Sequence, residues 1–315
     1  MPDLLSGYQF VELNQLALRR ERIKVKAAEL GLRGTVLLAD EGINFSLGGE
    51  ASALDVWLAW LAQAHGVDQP VLNRDPVESV PFLRLRVRIR PEIITFDPAL
   101  IPGKAPTGRA LSPQEWHALL QQDSVQLVDT RNRYEFELGT FRDAVDPAID
   151  SFTEFRDWSL ANLDREQPVA MFCTGGVRCE KASAWLLANG YREVYQLEGG
   201  ILNYLRDIPA DESLWQGECY VFDDRVALDH ELKPTGRTAC LACSRPVEGL
   251  HAQGMPPIVN GSDCGLCGMT FETGRLSGLR EKARQLALAE AQGRQHIGPA
   301  AQADSAGQRR QGTQS

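Results

Sequence analysis

The feature that most constrains the fold is a cysteine-containing loop between an apolar strand and a helix. Residues 168–172 are apolar enough for a buried strand, and residues 180–188 have the composition of a helix. The loop between them reads Cys173-Thr174-Gly175-Gly176-Val177-Arg178-Cys179. A strand that leads into a helix is typical of a parallel sheet covered by helices on both faces. Residues 125–128 and 194–197 are predicted to be further strands of this sheet.

The loop predicts a reactive thiol at Cys173. The pKa of a thiol falls at a helix N-terminus and beside a cation, and Arg178 supplies the cation. Gly175 and Gly176 let the backbone curl so that successive N–H groups point at the sulfur or at an anionic group bound there. A lone cysteine at the end of a strand is more often a packing residue. Here the two glycines, the arginine and the helix start favour a nucleophile.

Cys179, at the end of the same loop, has two interpretations. If the two ends of the loop approach each other, its thiol could resolve a persulfide or an oxidised Cys173 by forming a disulfide. Alternatively, it is a small residue that packs on the inner side of the helix. The sequence leaves both interpretations open.

The length of 315 residues predicts two or three domains. In residues 1–100, strands at 8–13, 34–39, 43–47 and 82–94 and helices at 16–30 and 51–64 give the order βαββαβ, which is typical of a ferredoxin-like or acylphosphatase-like domain. Residues 101–120 contain a linker and a helix that starts at Ser112-Pro113, and residues 121–216 form the α/β domain with the parallel sheet. Residues 217–289 form a small cysteine-rich segment. Residues 290–315 lack large apolar side chains and are predicted to be disordered.

Four arginines alternate with apolar residues near the end of the first domain: Arg84, Arg86, Arg88 and Arg90. In a strand, a period of two places all four on one face. That face could bind RNA phosphates, or it could be the solvated outer face of a sheet. The absence of an intervening acid favours RNA slightly. Because the net charge is −9, indiscriminate coating of nucleic acid is excluded and any RNA contact must be local.

A second group of cysteines follows the α/β domain in two Cys-x-x-Cys pairs: Cys240, Cys243, Cys264 and Cys267. Their spacing is typical of a structural zinc site with four thiolate ligands. Two redox pairs or unligated thiols are the alternatives. No flavin or nicotinamide motif of the form Gly-x-Gly-x-x-Gly is present.

The loop from Cys173 to Arg178 resembles the active-site loop of the rhodanese family, in which the cysteine takes up a sulfane sulfur as a persulfide. Asp129-Thr130-Arg131 resembles the Asp-x-Arg motif of that family, which has a structural role there. Related phosphatases have the arginine one residue later, where this chain has Cys179. Phosphatase activity is therefore disfavoured.

A closer resemblance is to the tRNA uridine-34 hydroxylase family. It is carried by residues 31–44 (GLRGTVLLADEGIN), 129–136 (DTRNRYEF), 173–182 (CTGGVRCEKA) and 195–201 (YQLEGGI), and it extends over most of the chain. The resemblance implies an oxidoreductase that converts uridine 34 to 5-hydroxyuridine with molecular oxygen as co-substrate and Cys173 in the catalytic position. It implies the tRNA anticodon region as partner and an electron donor that the sequence does not identify. A rhodanese-type sulfurtransferase that forms a persulfide on Cys173 is the alternative.

No apolar run reaches the roughly 18 residues that cross a bilayer. The first ten residues have neither the basic region nor the apolar core of a signal peptide. The sequence therefore predicts a cytoplasmic protein without membrane contact.

Overall fold

The computed structural model describes residues 1–122, 125–240, 245–247, 258–259, 263–265 and 270–291. The chain divides into two compact units. The first comprises residues 1–221 and 228–233, and the second comprises residues 222–227 and 234–315.

The N-terminal domain is a five-stranded sheet with two helices on one face. Its elements are β1 (Pro2–Phe10), α1 (Leu16–Glu29), β2 (Arg33–Ala39), β3 (Gly42–Glu50), α2 (Ala51–His65), β4 (Val71–Pro76) and β5 (Leu85–Ile89). The strand order is β4-β1-β3-β2-β5. All neighbours are antiparallel except β2 and β5. Alternate apolar side chains of the strands, among them Val36 and Phe45, pack with Trp57 of α2 in one core. The acylphosphatase-like prediction is confirmed.

The prediction that residues 82–94 form the last strand of the βαββαβ unit was wrong. The segment Val71–Pro76 closes the βαββαβ unit beside β1, and only Leu85–Ile89 of the predicted strand is extended, as a fifth strand at the opposite edge. The sequence Val-Leu-Asn-Arg-Asp-Pro reads as a turn because of its polar residues. Asn73 donates to the carbonyl of Gly199, and Asp75 pairs with Arg206. These tertiary contacts hold the segment extended although its own strand propensity is low.

The central domain has the predicted parallel sheet with helices on both faces. Its elements are β6 (Arg109–Leu111), α3 (Pro113–Leu120), β7 (Gln126–Asp129), α4 (Arg133–Phe136), β8 (Gly139–Phe141), α5 (Phe155–Asn162), β9 (Val169–Phe172), α6 (Val177–Ala188), β10 (Val194–Leu197), α7 (Gly200–Asp207) and β11 (Trp215–Gly217). The parallel order is β6-β10-β9-β7. Val169 and Met171 of the central strand β9 belong to one core, and Ala170 and Phe172 belong to the core on the other face.

The remaining elements are short strands and one helix: β12 (Cys219–Tyr220), β13 (Ala227–Leu228), β14 (Thr238–Ala239), β15 (Pro246–Val247), β16 (Ile258–Val259), β17 (Asp263–Cys264) and α8 (Thr273–Ala291). In the second unit, β14 pairs with β15 and β16 pairs with β17, both antiparallel. Most of the tail predicted to be disordered lies outside the described residues. Within the described part of the chain, no helix is long and apolar enough to cross a membrane.

Candidate active site

Cys173 lies where β9 ends and the loop to α6 begins. Because β9 is buried along its whole length, the strand fixes the position of the residue that follows it. The backbone N–H of Gly176 donates to Sγ of Cys173 over 3.1 Å, and the N–H groups of Arg178 and Cys179 bond the same sulfur. Gly176 has a φ of 101°, a conformation that favours glycine and produces this curl. The loop therefore surrounds the sulfur with N–H donors.

The surroundings of Cys173 favour its thiolate. Burial alone would raise the pKa of the Cys173 thiol. A hydrogen bond from the Cys179 thiol, the charge of Arg178 and the backbone N–H groups outweigh burial, so the pKa of Cys173 lies well below its usual value. Burial and the neighbouring Cys173 thiolate raise the pKa of Cys179. The directions of the two pKa shifts therefore favour a Cys173 thiolate beside a protonated Cys179.

Arg178 is held by a carboxylate that lies outside the loop. Its two Nη atoms donate to the two carboxylate oxygens of Glu135 over 2.8 and 2.9 Å, and Nη2 also donates to Oγ1 of Thr174 over 3.2 Å. Burial would raise the pKa of Glu135, but the charge and hydrogen bonds of Arg178 lower it, so the ion pair is maintained. Arg178 thus braces the loop and presents a fixed positive charge to Cys173.

Asp129 and Arg131 form a second buried ion pair. Nη2 of Arg131 donates to Oδ2 of Asp129 over 2.6 Å and to the carbonyl of Gly139 over 2.5 Å. Thr140 donates its hydroxyl to the same Asp129 oxygen over 3.0 Å. Both charged side chains are fully buried. The pair ties the end of β7 to β8, so its contacts are those of a structural motif.

The N-terminal sheet lies against the Cys173 loop. The hydroxyl of Tyr8 donates to Oε1 of Glu180 over 3.3 Å, and a Cβ on Gly176 would stand 2.8 Å from that hydroxyl. Asn73 fastens the same sheet to Gly199, next to the loop. Cys173 is consequently only 1% exposed. A substrate can reach its sulfur only when contacts over the loop open.

Lys181, two residues after Cys179, joins helix α6 to the N-terminal domain. Its Nζ lies 2.7 Å from Oε2 of Glu41 and 2.5 Å from Oε2 of Glu92, and the ammonium is completely buried. Glu41 also accepts the backbone N–H of Ile93 over 2.8 Å. Lys181 is therefore an internal tie between the two domains in this structure.

The four arginines of the predicted RNA-binding face are all exposed: Arg84, Arg86, Arg88 and Arg90. Leu85 and Val87 pack against the helix-covered core, so Arg86 and Arg88, which alternate with them in β5, point to the other face of the sheet. The strand register places Tyr8, Asn44, Leu37 and Arg88 in one row across that face. Tyr8 at one end of the row touches the Cys173 loop, and Arg88 lies three strands away, about 14 Å by the usual strand spacing.

A second row runs across the same face beside the first, and all its residues are polar: Asn73, Ser6, Ser46, Thr35 and Arg86. Ser6, Thr35 and Ser46 are only partly buried. This row therefore places partly exposed hydroxyl groups between Arg86 and the buried Asn73.

The structure describes two of the four C-terminal cysteines. Cys240 and Cys264 are buried in one small apolar cluster with Val247, Phe271 and Leu276. Their partners in the Cys-x-x-Cys pairs, Cys243 and Cys267, lie outside the described residues. Within the described residues, no group of three or more potential metal ligands occurs. The shared burial of Cys240 and Cys264 fits the proposed structural zinc site, in which all four thiolates would hold the metal.

Four residues near the candidate site were missed from sequence: Tyr8, Asn73, Glu135 and Glu180. Glu135 lies in the DTRNRYEF segment and Glu180 directly follows the loop, so both stand in motifs whose other members were recognised. Tyr8 and Asn73 come from another domain. Only the fold brings them to the loop.

Two family models match separate parts of the chain. Residues 3–93 match the UPF0176 acylphosphatase-like domain, and residues 112–207 match the rhodanese-like domain. The chain therefore has the domain architecture of the UPF0176 family. The rhodanese-like domain contains Cys173 and indicates an enzyme that works through a cysteine.

Solved structures of single domains are similar to parts of the chain. The rhodanese-like domain of an Anabaena sp. protein is 16% identical, with a TM-score of 0.30, over 34% of this chain and 78% of that chain. A rhodanese-like protein from Staphylococcus aureus is 25% identical, with a TM-score of 0.26, over 30% of this chain and 90% of that chain. An acylphosphatase from Coxiella burnetii is 23% identical, with a TM-score of 0.22, over 28% of this chain and 90% of that chain.

Proposed function

We propose that this chain is a cytoplasmic enzyme that hydroxylates C5 of uridine 34 in tRNA with molecular oxygen, and that Cys173 is its reactive thiolate. One oxygen atom enters the C5–H bond of the uracil ring. The other leaves as water, which takes up two protons and two electrons from a reductant. A transfer RNA carries its position-34 base in the anticodon loop, where single-stranded bases can be turned outward into a protein pocket.

The observation that carries this proposal is the shared face of the N-terminal sheet. That face presents exposed arginines at one edge and touches the Cys173 loop through Tyr8 and Asn73 at the other side. Arginine side chains are suited to phosphate contacts. An RNA strand bound along Arg86 and Arg88 would lie within about two to three nucleotide lengths of the loop, given the strand spacing of about 4.8 Å.

The residues around Cys173 have distinct tasks in this proposal. The N–H groups of the loop hold the sulfur as an anion, and Arg178 adds a fixed positive charge. Glu135 keeps that guanidinium in place. Opening of the Tyr8 and Asn73 contacts would admit the base to the sulfur, and closing them would exclude water from the reacting atoms.

A sulfurtransferase is the second candidate, and the nest around Cys173 favours it specifically. The donors that hold a thiolate would equally hold the terminal sulfur anion of a persulfide. This reaction transfers a sulfane sulfur from a donor such as thiosulfate to Cys173 and requires neither oxygen nor RNA. The exposed arginines in and beside β5, which we call the arginine row (Arg84, Arg86, Arg88 and Arg90), have no role in such a reaction.

The two candidates are separated by an isotope experiment on the full-length protein. The enzyme is incubated with a tRNA transcript that has uridine at position 34, a dithiol reductant and ¹⁸O₂, and the nucleosides are analysed by mass spectrometry. We expect 5-hydroxyuridine that contains one ¹⁸O atom, and none from a transcript with cytidine at position 34. If no hydroxylated nucleoside forms while thiosulfate converts Cys173 to a persulfide, the sulfurtransferase is the better account.

The arginine row predicts a defined change in tRNA affinity. In the double variant Arg86→Ala/Arg88→Ala, two phosphate contacts are lost, so the slope of log K against log salt should fall by about 2. We expect roughly tenfold weaker binding at 150 mM salt, since the loss of two such contacts weakens electrostatic binding by about this order. Fluorescence anisotropy with labelled tRNA over a salt series measures both quantities.

The matched control for this prediction is Arg22→Ala/Lys24→Ala. Both residues are exposed on α1, on the opposite side of the sheet, and the double variant makes the same change in net charge. It should bind tRNA like the wild type. Equal losses in the two double variants would show a general charge effect and reject the arginine row as the RNA-binding surface.

A further inference from the structure

Cys179 lies at the end of the loop that begins with Cys173, and both thiols are buried in the same core cluster. The sulfur of Cys179 stands 3.8 Å from Oγ1 of Thr130, and the same hydroxyl donates over 2.9 Å to the carbonyl of Phe172, the residue before Cys173. The pKa of Cys173 is lowered in part by Cys179. Cys173 and Cys179 are each 1% exposed and belong to the same buried cluster. Thr130 therefore links the Cys179 thiol to the end of the strand from which Cys173 follows.

We propose that Cys179 is a second catalytic residue, and that the Cys173/Cys179 dithiol supplies the two electrons that the proposed hydroxylation consumes. This inference rests on the proposed function. It identifies the immediate electron donor as part of the chain itself, and it makes the product of each turnover a disulfide within the loop.

The overall step balances in atoms and electrons. One uridine, one O₂ and the two thiols give one 5-hydroxyuridine, one water and one disulfide. The C5–H bond and the O–O bond break, and a C5–O bond and the S–S bond form. Of the four electrons that reduce O₂, two come from the C5–H bond and two from the sulfurs. An external dithiol then reduces the disulfide by thiol–disulfide exchange and restores the enzyme.

The local geometry favours closure of this disulfide. Cys173 follows the end of β9, and Cys179 is the third residue of α6, so the loop already turns back on itself. The two sulfurs must approach to about 2.05 Å to form the bond. Gly175 and Gly176 stand between the two cysteines and give the loop the backbone freedom that this movement needs.

The distribution of the proton also suits the step. Cys173 is the ionised sulfur and Cys179 is the protonated one. The thiolate is the reactive form toward an oxidant. Cys179 loses its proton as the S–S bond forms, and that proton becomes part of the water released. Because Cys173 reacts as a thiolate, the second proton of the water comes from the solvent. The hydrogen bond that joins the sulfurs is therefore replaced by the covalent bond.

The experiment is a single turnover with prereduced, full-length enzyme from which external reductant has been removed. Enzyme, tRNA transcript and O₂ are mixed, 5-hydroxyuridine is counted per enzyme, and peptides are mapped by mass spectrometry under non-reducing conditions. We expect up to one product per enzyme and an equal amount of the Cys173–Cys179 disulfide. An anaerobic sample should form neither.

The variant Cys179→Ser separates electron supply from positioning. Its hydroxyl can still donate a hydrogen bond to the Cys173 thiolate, but it cannot form a disulfide. We expect its single-turnover product to fall at least tenfold, while alkylation of Cys173 by iodoacetamide keeps its low pH midpoint. The control Cys219→Ser removes another buried thiol of the same unit, and it should behave like the wild type.

Two results would overturn this inference. The first is a full equivalent of product from wild-type enzyme in which Cys173 and Cys179 both remain reduced. The second is a normal single turnover by Cys179→Ser. Either result leaves the proposed hydroxylation intact and places the electron donor elsewhere. If no preparation forms 5-hydroxyuridine even with an added dithiol, the proposed function itself fails, and this inference fails with it.

Discussion

Replacement of Cys173 by alanine is expected to abolish 5-hydroxyuridine formation. The loop places its N–H donors and the charge of Arg178 around this one sulfur, and no hydroxyl or thiol replaces it in the variant. Loss of a catalytic nucleophile typically lowers turnover by roughly 10³-fold or more. Mass spectrometry of nucleosides from tRNA should therefore detect the modification in cells that contain the wild type. Cells that lack the protein, or contain only Cys173→Ala, should not form it.

The loss must be separated from a loss of folded protein. Cys173→Ala removes one buried sulfur, so its folded amount and its tRNA binding should remain close to those of the wild type. The control Cys219→Ser should restore the modification fully. Unchanged 5-hydroxyuridine in the Cys173→Ala strain, in cells without a second enzyme for this nucleoside, would remove Cys173 from the reaction.

The pH dependence of alkylation tests why this thiol is reactive. The pKa of Cys173 is lowered, so its thiolate is lost only as the pH falls through that lowered value. Labelling by iodoacetamide requires the contacts over the loop to open, but its rate should keep its plateau value at pH values below the usual thiol pKa of about 8.5. Burial raises the pKa of Cys219 to about 12, so that cysteine should stay unlabelled at neutral pH. A midpoint for Cys173 near 8.5 would contradict the electrostatic account of the loop.

The Cys173 loop could be predicted because its pattern is local. An apolar strand, two glycines, an arginine and a helix start occupy adjacent positions, and each has a direct conformational meaning. The same holds for the arginine row, since a period of two in an extended segment fixes which side chains share a face. In the structure all four side chains are exposed, and Arg86 and Arg88 lie within β5 on the face opposite Leu85 and Val87.

The sequence could not predict at which edge of the N-terminal sheet the arginines lie. β4 contains Asn73 and Asp75, which are typical of turns, and their partners Gly199 and Arg206 stand far away in the chain. The sequence therefore does not indicate a strand at Val71–Pro76, and residues 82–94 were predicted to be the last strand of the unit instead. Likewise, the buried partner of Arg178 is Glu135, from another helix. Tertiary pairings of this kind leave no periodic signal in the sequence.

The ion pairs of Lys181 with Glu41 and Glu92 are also tertiary pairings that the sequence does not predict. Among the substitutions considered, removal of the Lys181 charge should cause the largest decrease in the free energy of unfolding. In Lys181→Met the side chain keeps a similar volume but loses its charge, so Glu41 and Glu92 remain buried without their ammonium partner. Removal of one partner from a buried ion pair typically costs about 3–5 kcal/mol. Chemical denaturation at pH 7.5, followed by tryptophan fluorescence, should show a decrease in unfolding free energy of this order.

The loss should depend on pH in a direction that identifies its cause. Burial already raises the pKa of Glu41, although Lys181 opposes the shift. Without the ammonium, the folded variant should hold a proton on Glu41 at pH values where the unfolded chain has released it. Because the folded state then binds more protons, its stability falls as the pH rises through this range. The difference from the wild type should therefore be smaller at pH 5 than at pH 7.5.

Two control variants distinguish the buried charges from the lost side chain. Lys24→Met changes an exposed lysine on α1 and should alter stability by no more than about 0.5 kcal/mol. Lys181→Met combined with Glu41→Gln and Glu92→Gln removes all three charges and should recover most of the loss, since neutral replacement of a whole buried charge group is often tolerated. If the triple variant is as unstable as Lys181→Met, the packing of the lysine stem rather than its charge joins the N-terminal domain to the helix that follows Cys173.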